Sequence, residues 1–137
     1  MTNNEQEMTN EKVYMNNKID FDKASRTIAF DFDGVIHSNT ASWVAPEIIK
    51  GSPIQGIREI ILDLIEQGFI VVVFSSRARN RLGRLAIIEW LKQHSFPYIE
   101  VTSIKPHATI YIDDLAYRFT DVETLKNDLD IIKTGAN

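Results

Sequence analysis

The stretch Thr27-Ile28-Ala29-Phe30-Asp31-Phe32-Asp33-Gly34-Val35-Ile36-His37 decides how this chain is read. An apolar run drives into two carboxylates that straddle a phenylalanine, and a glycine follows at once. Thr27 to Phe32 have the composition of a buried strand, bounded by Gly34. A buried strand that ends on paired acids needs a chemical reason.

Outward from that strand, short apolar runs alternate with amphipathic stretches. Residues 54–67 predict a helix with Ile57, Ile60, Ile61, Leu64 and Ile65 on one face, and Gly68 as its C-terminal cap. Phe69 to Phe74 reads as a second buried strand, rich in β-branched residues and apolar on both faces. Residues 80–94 predict a second helix with Leu82, Leu85, Ile88 and Leu91 along one stripe, ended by the Phe96-Pro97 step. Tyr98 to Thr102 and Thr109 to Asp113 read as further strands, and residues 122–132 as a terminal helix. Strands separated by helices, with continuous apolar runs, imply a parallel sheet covered on both faces. The expectation is a small three-layer, Rossmann-like α/β domain over residues 27–137. Residues 1–26 carry five acids and four bases and read as a polar arm.

Composition bounds the function. A chain of 137 residues, 44% apolar and 25% charged, has the balance of one globular domain. A net charge of −4 argues against general nucleic-acid binding through phosphate neutralisation. The absence of cysteine excludes disulfides and thiolate metal sites. No apolar run is long enough to span a bilayer, and the N-terminus lacks the core of a signal peptide. These features predict a soluble, cytoplasmic protein with no membrane partner.

In parallel α/β sheets, ligands bind beyond the carboxyl ends of the strands. The first strand leaves through Asp31, Phe32, Asp33 and Gly34, and the second through Ser75, Ser76 and Arg77. The last leaves through Asp113 and Asp114, with Lys105 in the loop before it. Period-2 geometry predicts Asp31 and Asp33 on one side and Phe32 on the other. Two unit charges 4 Å apart cost about 4 kcal/mol at an effective dielectric of 20, so four clustered acids require neutralisation. Oxygen ligands without His or Cys point to a hard cation, Mg²⁺ before Ca²⁺. A nucleophile, a proton-transfer group, a cation and a lysine are the parts for phosphoryl transfer through an aspartyl-phosphate. Each piece alone has an ordinary reading: Asp and Gly are turn residues, and Ser-Ser-Arg suits the approach to a helix. A calcium loop fits poorly, since the acid spacing of an EF-hand is missing and a strand, not a helix, precedes the motif. The functional reading rests on all the pieces falling at strand ends of one sheet.

The ordered set Phe30-Asp31-Phe32-Asp33-Gly34-Val35, Val72-Val73-Phe74-Ser75, Lys105 and Tyr111-Ile112-Asp113-Asp114 resembles the four motifs of the haloacid dehalogenase-like (HAD) phosphatases, over Thr27 to about Phe119. The resemblance implies a HAD-like fold, Asp31 as the nucleophile, and Asp33 as acid and then base, with its backbone carbonyl on Mg²⁺. It implies Ser75 or, one residue on, Ser76 as the phosphoryl ligand, and Lys105 as the charge that offsets nucleophile and phosphate. Asp113 and Asp114, the latter directly or through water, would complete the metal site beside Asp31. The second acid favours a phosphatase, since family members that cleave carbon–halogen bonds lack it.

The segments between motifs leave no room for a cap domain. An open site is therefore expected, covered at most by the flap His37 to Trp43 or by a neighbouring subunit of a homo-oligomer. Arg77, in the basic cluster Arg77, Arg79, Arg81 and Arg84, is the candidate for an anionic substrate, because Arg suits phosphate. His37 and Trp43 are candidates for substrate contact, or else an exposed turn histidine and a tryptophan packing the flap. His107 reads as a loop residue. The expected substrate is a phosphorylated small molecule or the phosphorylated end of a larger one. Two other readings stand beside the phosphatase: a HAD-like binding or regulatory domain without useful turnover, and a phosphotransferase.

Overall fold

A computed structural model of the chain describes residues 21–39 and 42–135. The element order is α1 (Phe21–Ser25), β1 (Thr27–Asp31), α2 (Ile57–Glu66), β2 (Ile70–Phe74), a 3₁₀ turn (Ser76–Arg79), α3 (Arg81–Gln93), β3 (Glu100–Thr102), β4 (Ile110–Ile112) and α4 (Val122–Thr134). The four strands form one all-parallel sheet in the order β3-β2-β1-β4. Most of the expected polar arm lies outside the described residues; its end forms α1.

The register explains the core. Ile28 pairs with Val71 and Phe30 with Val73, so their side chains share one face of the sheet. They join Val101 of β3, Ile61 of α2, and Ile87, Trp90 and Leu91 of α3 in a single buried cluster. Both crossovers, β1-α2-β2 and β2-α3-β3, step the same way along the sheet. Right-handed connections therefore put α2 and α3 on the same face. No residue of α4 is buried, so the expected helical cover of both faces is not reproduced by α4.

Two helix faces differ from expectation. In α2 only Ile61 is fully buried, and Ile60 is 55% exposed, because it stands at the margin of a stripe wider than the contact. In α3 the buried face is Gly83, Ile87, Trp90 and Leu91, whereas Leu82 is 58% exposed and Leu85 is also exposed. Steps of three residues retreat about 60° each around a helix, so the run Leu82, Leu85, Ile88, Leu91 wraps half the cylinder. Steps of four, as from Gly83 to Ile87 to Leu91, stay in line with the core. The helix ends at Gln93, before Phe96-Pro97, through Ser95 in the left-handed region at φ 63°. Gly68, at φ 92°, closes α2 as expected, its N–H on the Ile65 carbonyl at 3.0 Å.

Between β1 and α2 the chain makes a flap. Its stem is closed by the Ser38 N–H on the Ser52 carbonyl and the Ile54 N–H on the Ile36 carbonyl, both 2.9 Å. Among the described residues no helix is long and apolar enough to cross a membrane.

Candidate functional site

The chain reverses its direction of growth at β1: β2 and β3 add on one side, and β4 adds on the other. Such a switch point leaves a crevice beyond the strand ends. Phe30 is in register with Ile112, so the next residues, Asp31 and Asp113, leave neighbouring strands side by side. Carboxylate oxygens of Asp31, Asp113 and Asp114 all lie within 4.8 Å of one another.

Local backbone holds these acids in place. The Phe32 N–H donates to Asp31 Oδ1 at 2.9 Å, and the Leu115 N–H donates to Asp113 Oδ1 at 2.9 Å. The buried Phe32 carbonyl then accepts the N–H groups of Val35, Ile36 and His37, which coils the chain tightly after the strand. Gly34 sits in this coil at φ 86°, a conformation that side chains disfavour. A Cβ there would lie 2.2 Å from Asp114 Oδ2, so the β1 and β4 exits approach as closely as a glycine allows.

The electrostatics follow from the geometry. Burial, and then the neighbouring Asp113, Asp114 and Asp33 carboxylates, push the Asp31 carboxyl up to about 6, against the Phe32 N–H that favours its charged form. The donor set fits a hard cation: three carboxylates whose oxygens lie within 4.8 Å of one another, with no nitrogen or sulfur.

Asp33 is not part of this group. The strand ends at Asp31, so the period-2 expectation fails at the coil, and the Asp33 side chain turns instead to Arg77 and His37. Arg77 Nε donates to Asp33 Oδ2 at 2.7 Å and Nη2 to Oδ1 at 3.0 Å. Its Nη1 reaches the carbonyls of Ala45, Pro46 and Ile48 at 3.0–3.2 Å, and Trp43 lies over its Cζ at 4.3 Å. Arg77 is only 3% exposed. The expectation that it meets an anionic substrate is therefore corrected: its guanidinium is spent on Asp33 and on the base of the flap. His37 is likewise neither an exposed turn residue nor open to substrate; it is buried and its Nδ1 lies 2.8 Å from Asp33 Oδ1.

Ser75 follows β2 in extended conformation and is buried, its N–H on the Thr102 carbonyl at 3.0 Å. Its Oγ accepts the Arg77 N–H at 3.2 Å, which leaves the hydroxyl hydrogen free to donate to an anion. Ser76 is exposed and opens the 3₁₀ turn. Lys105 Nζ lies over the Tyr111 ring at 4.1 Å, and the Tyr111 hydroxyl donates to the Pro106 carbonyl. Lys105 is not among the groups that act on the Asp31 carboxyl. It lines a cleft of about 450 Å³ together with Tyr111, Asp113, Tyr117 and Arg118. Arg84 donates to the Val101 carbonyl at 3.0 Å, and His107 is exposed in its loop.

Gly51 and Trp90 were not legible as site residues. The Gly51 N–H donates to His37 Nε2 at 2.8 Å, and its carbonyl accepts Trp90 Nε1–H at 3.0 Å. Gly51 is fourteen residues from His37, and only the folded flap stem brings them together. Compared with family models, curated proteins and solved structures, the chain has no match in any of the three.

Proposed function

We propose that this chain is a Mg²⁺-dependent phosphomonoester hydrolase of the HAD-like type, working through an aspartyl-phosphate on Asp31. The observation that carries the reading is the convergence of the Asp31, Asp113 and Asp114 oxygens within 4.8 Å at the carboxyl ends of adjacent parallel strands. Asp31, Asp113 and Asp114 would hold the cation, with the Asp33 backbone carbonyl as a further ligand. When bound, Mg²⁺ supplies positive charge to the acids and to the phosphoryl oxygens.

The residues then divide the work. Asp31 Oδ attacks phosphorus; the bond to the ester oxygen breaks, and that oxygen leaves with a proton from Asp33. In the second step Asp33 takes a proton from water, the water oxygen attacks the acyl phosphate, and inorganic phosphate and the Asp31 carboxylate are released. The Ser75 hydroxyl hydrogen is the donor to a phosphoryl oxygen, as Arg77 leaves it uncommitted. The role implied for Lys105 requires its ammonium to leave the Tyr111 ring.

The test is hydrolysis of a broad panel of phosphate esters, with and without Mg²⁺, by wild type and Asp31→Asn. Turnover that needs both Mg²⁺ and Asp31 supports the reading. Equally negligible turnover by both proteins ends it.

A further inference from the structure

We infer that His37 and Arg77 are positioning residues: together they fix the Asp33 carboxyl in the orientation from which it protonates the leaving group. The inference rests on the hydrolase reading above.

Asp33 is partly open, at 23% side-chain exposure, whereas each of its two partners is 3% exposed. An accessible acid thus stands on a buried brace. Three hydrogen bonds make the brace: His37 Nδ1 and Arg77 Nη2 to Oδ1, at 2.8 and 3.0 Å, and Arg77 Nε to Oδ2 at 2.7 Å. Arginine grips the carboxylate with two parallel bonds, which fixes its plane as well as its position. Oδ1 takes two of the three bonds and Oδ2 only one. Oδ2 is therefore the oxygen with a lone pair left for a transferable proton.

The protonation of His37 is set by its neighbours. Gly51 N–H donates to Nε2, so Nε2 is the acceptor and the ring proton resides on Nδ1, facing Asp33. The neutral ring satisfies both partners; a proton on Nε2 would oppose the Gly51 N–H. A Cβ on residue 51 would lie 2.5 Å from Nε2, so the donor reaches the ring only because residue 51 is glycine. Phe32 stacks on the imidazole at 5.4 Å and 10°, and Trp90 meets it edge-on at 5.6 Å while bonding the Gly51 carbonyl. The ring cannot rotate without breaking this packing. Arg77 is fixed as firmly, by the three flap carbonyls on Nη1 and by Trp43 over its plane. Orientation of this kind raises the rate of a step without contributing to substrate affinity.

A general acid matters only where the departing oxygen needs a proton. That fact separates positioning from a structural role. With the full chain and Mg²⁺, kcat and KM are measured on p-nitrophenyl phosphate, whose leaving group departs as an anion, and on a simple alkyl phosphate, whose leaving group does not. Arg77→Lys, which keeps the charge and loses the fork, and His37→Ala should each lose about tenfold or more in kcat on the alkyl ester. The nitrophenyl ester should lose under about threefold, and KM should shift by less than about twofold on both. Asp33→Asn should show the same split, and His37→Asn, which restores an N–H donor, should recover part of the alkyl activity. Equal losses on both esters, or no loss on either, overturn the inference while leaving the hydrolase reading intact. The two esters are an aryl and an alkyl phosphate that wild type turns over in the broad panel; wild type that hydrolyses no ester of that panel overturns the hydrolase reading itself. A second measurement needs no variant: long-range ¹H–¹⁵N spectra of the wild type should show the buried histidine protonated on Nδ1. Protonation on Nε2 alone would remove the donor that the inference requires.

Discussion

Replacing Asp31 by Asn should stabilise the cation-free protein at neutral pH while abolishing its response to Mg²⁺. The amide oxygen of Asn still accepts the Phe32 N–H, so the local backbone is retained and only the charge is lost. Burial and three neighbouring acids raise the Asp31 carboxyl from its ordinary 3.8 to about 6. At 1.36 kcal/mol per unit of pKa, that displacement corresponds to about 3 kcal/mol of unfavourable charging. The carboxyl is only half-buried, and solvent screening reduces the net figure to about 1 kcal/mol.

The sign of the pH dependence follows. Between pH 3.8 and about 6 the folded state binds more protons at Asp31 than the unfolded state does, so stability falls as pH rises through this window. The penalty is fully present above about 6 and absent below 3.8. Thermal unfolding in EDTA at pH 7.5 should therefore place Asp31→Asn about 3–5 °C above wild type, and the gap should close as pH falls towards 4. Added Mg²⁺ should raise the melting temperature of wild type and not that of the variant. A variant less stable than wild type in EDTA at pH 7.5, or one that Mg²⁺ still stabilises, would refute the view that Asp31 is an uncompensated charge awaiting a cation.

Three further perturbations probe the surroundings. Gly34→Ala should cost about 2 kcal/mol in urea unfolding, from the left-handed backbone and the contact with Asp114, and should weaken Mg²⁺ binding measured by calorimetry; unchanged binding would mean that the close approach of the two loops does not matter. Ser75→Ala should weaken vanadate binding in the presence of Mg²⁺ about tenfold, whereas Ser76→Ala should change it less than about twofold; the reverse order would assign the phosphoryl donor to the exposed serine. Trp90→Phe removes the donor to the Gly51 carbonyl and part of the packing on His37, and should cost about 1–2 kcal/mol by denaturant titration; a neutral effect would show that Gly51 is held by the flap stem alone.

Much of the fold is legible because the signals are local. The β-branched run of β2 and the pairing of an amphipathic α2 with a following glycine are visible within a window of a dozen residues. The acids of the crevice are legible for a similar reason: each follows directly from a strand, and the strand ends of a parallel sheet share one edge. The face of α3 is not legible from apolar spacing, because one of its buried positions is Gly83, whose missing Cβ leaves room for the Arg77 carbonyl. The destination of Asp33 is hidden too. It depends on the coil around the Phe32 carbonyl and on a partner forty-four residues away, and neither leaves a periodic trace.

Arg77 and Asp33 also explain how one of the four acids in the crevice is set apart from the other three. A guanidinium buried in a domain of this size is costly unless its charge is matched and its N–H groups are satisfied. Asp33 matches the charge, and three flap carbonyls take further N–H groups. That pairing turns Asp33 away from the other acids, and it comes last among the acids that act on Asp31. Lys105, in the loop before β4, rests on Tyr111. The same arginine that anchors the flap thereby takes one acid of the crevice, while oxygens of the other three lie within 4.8 Å of one another.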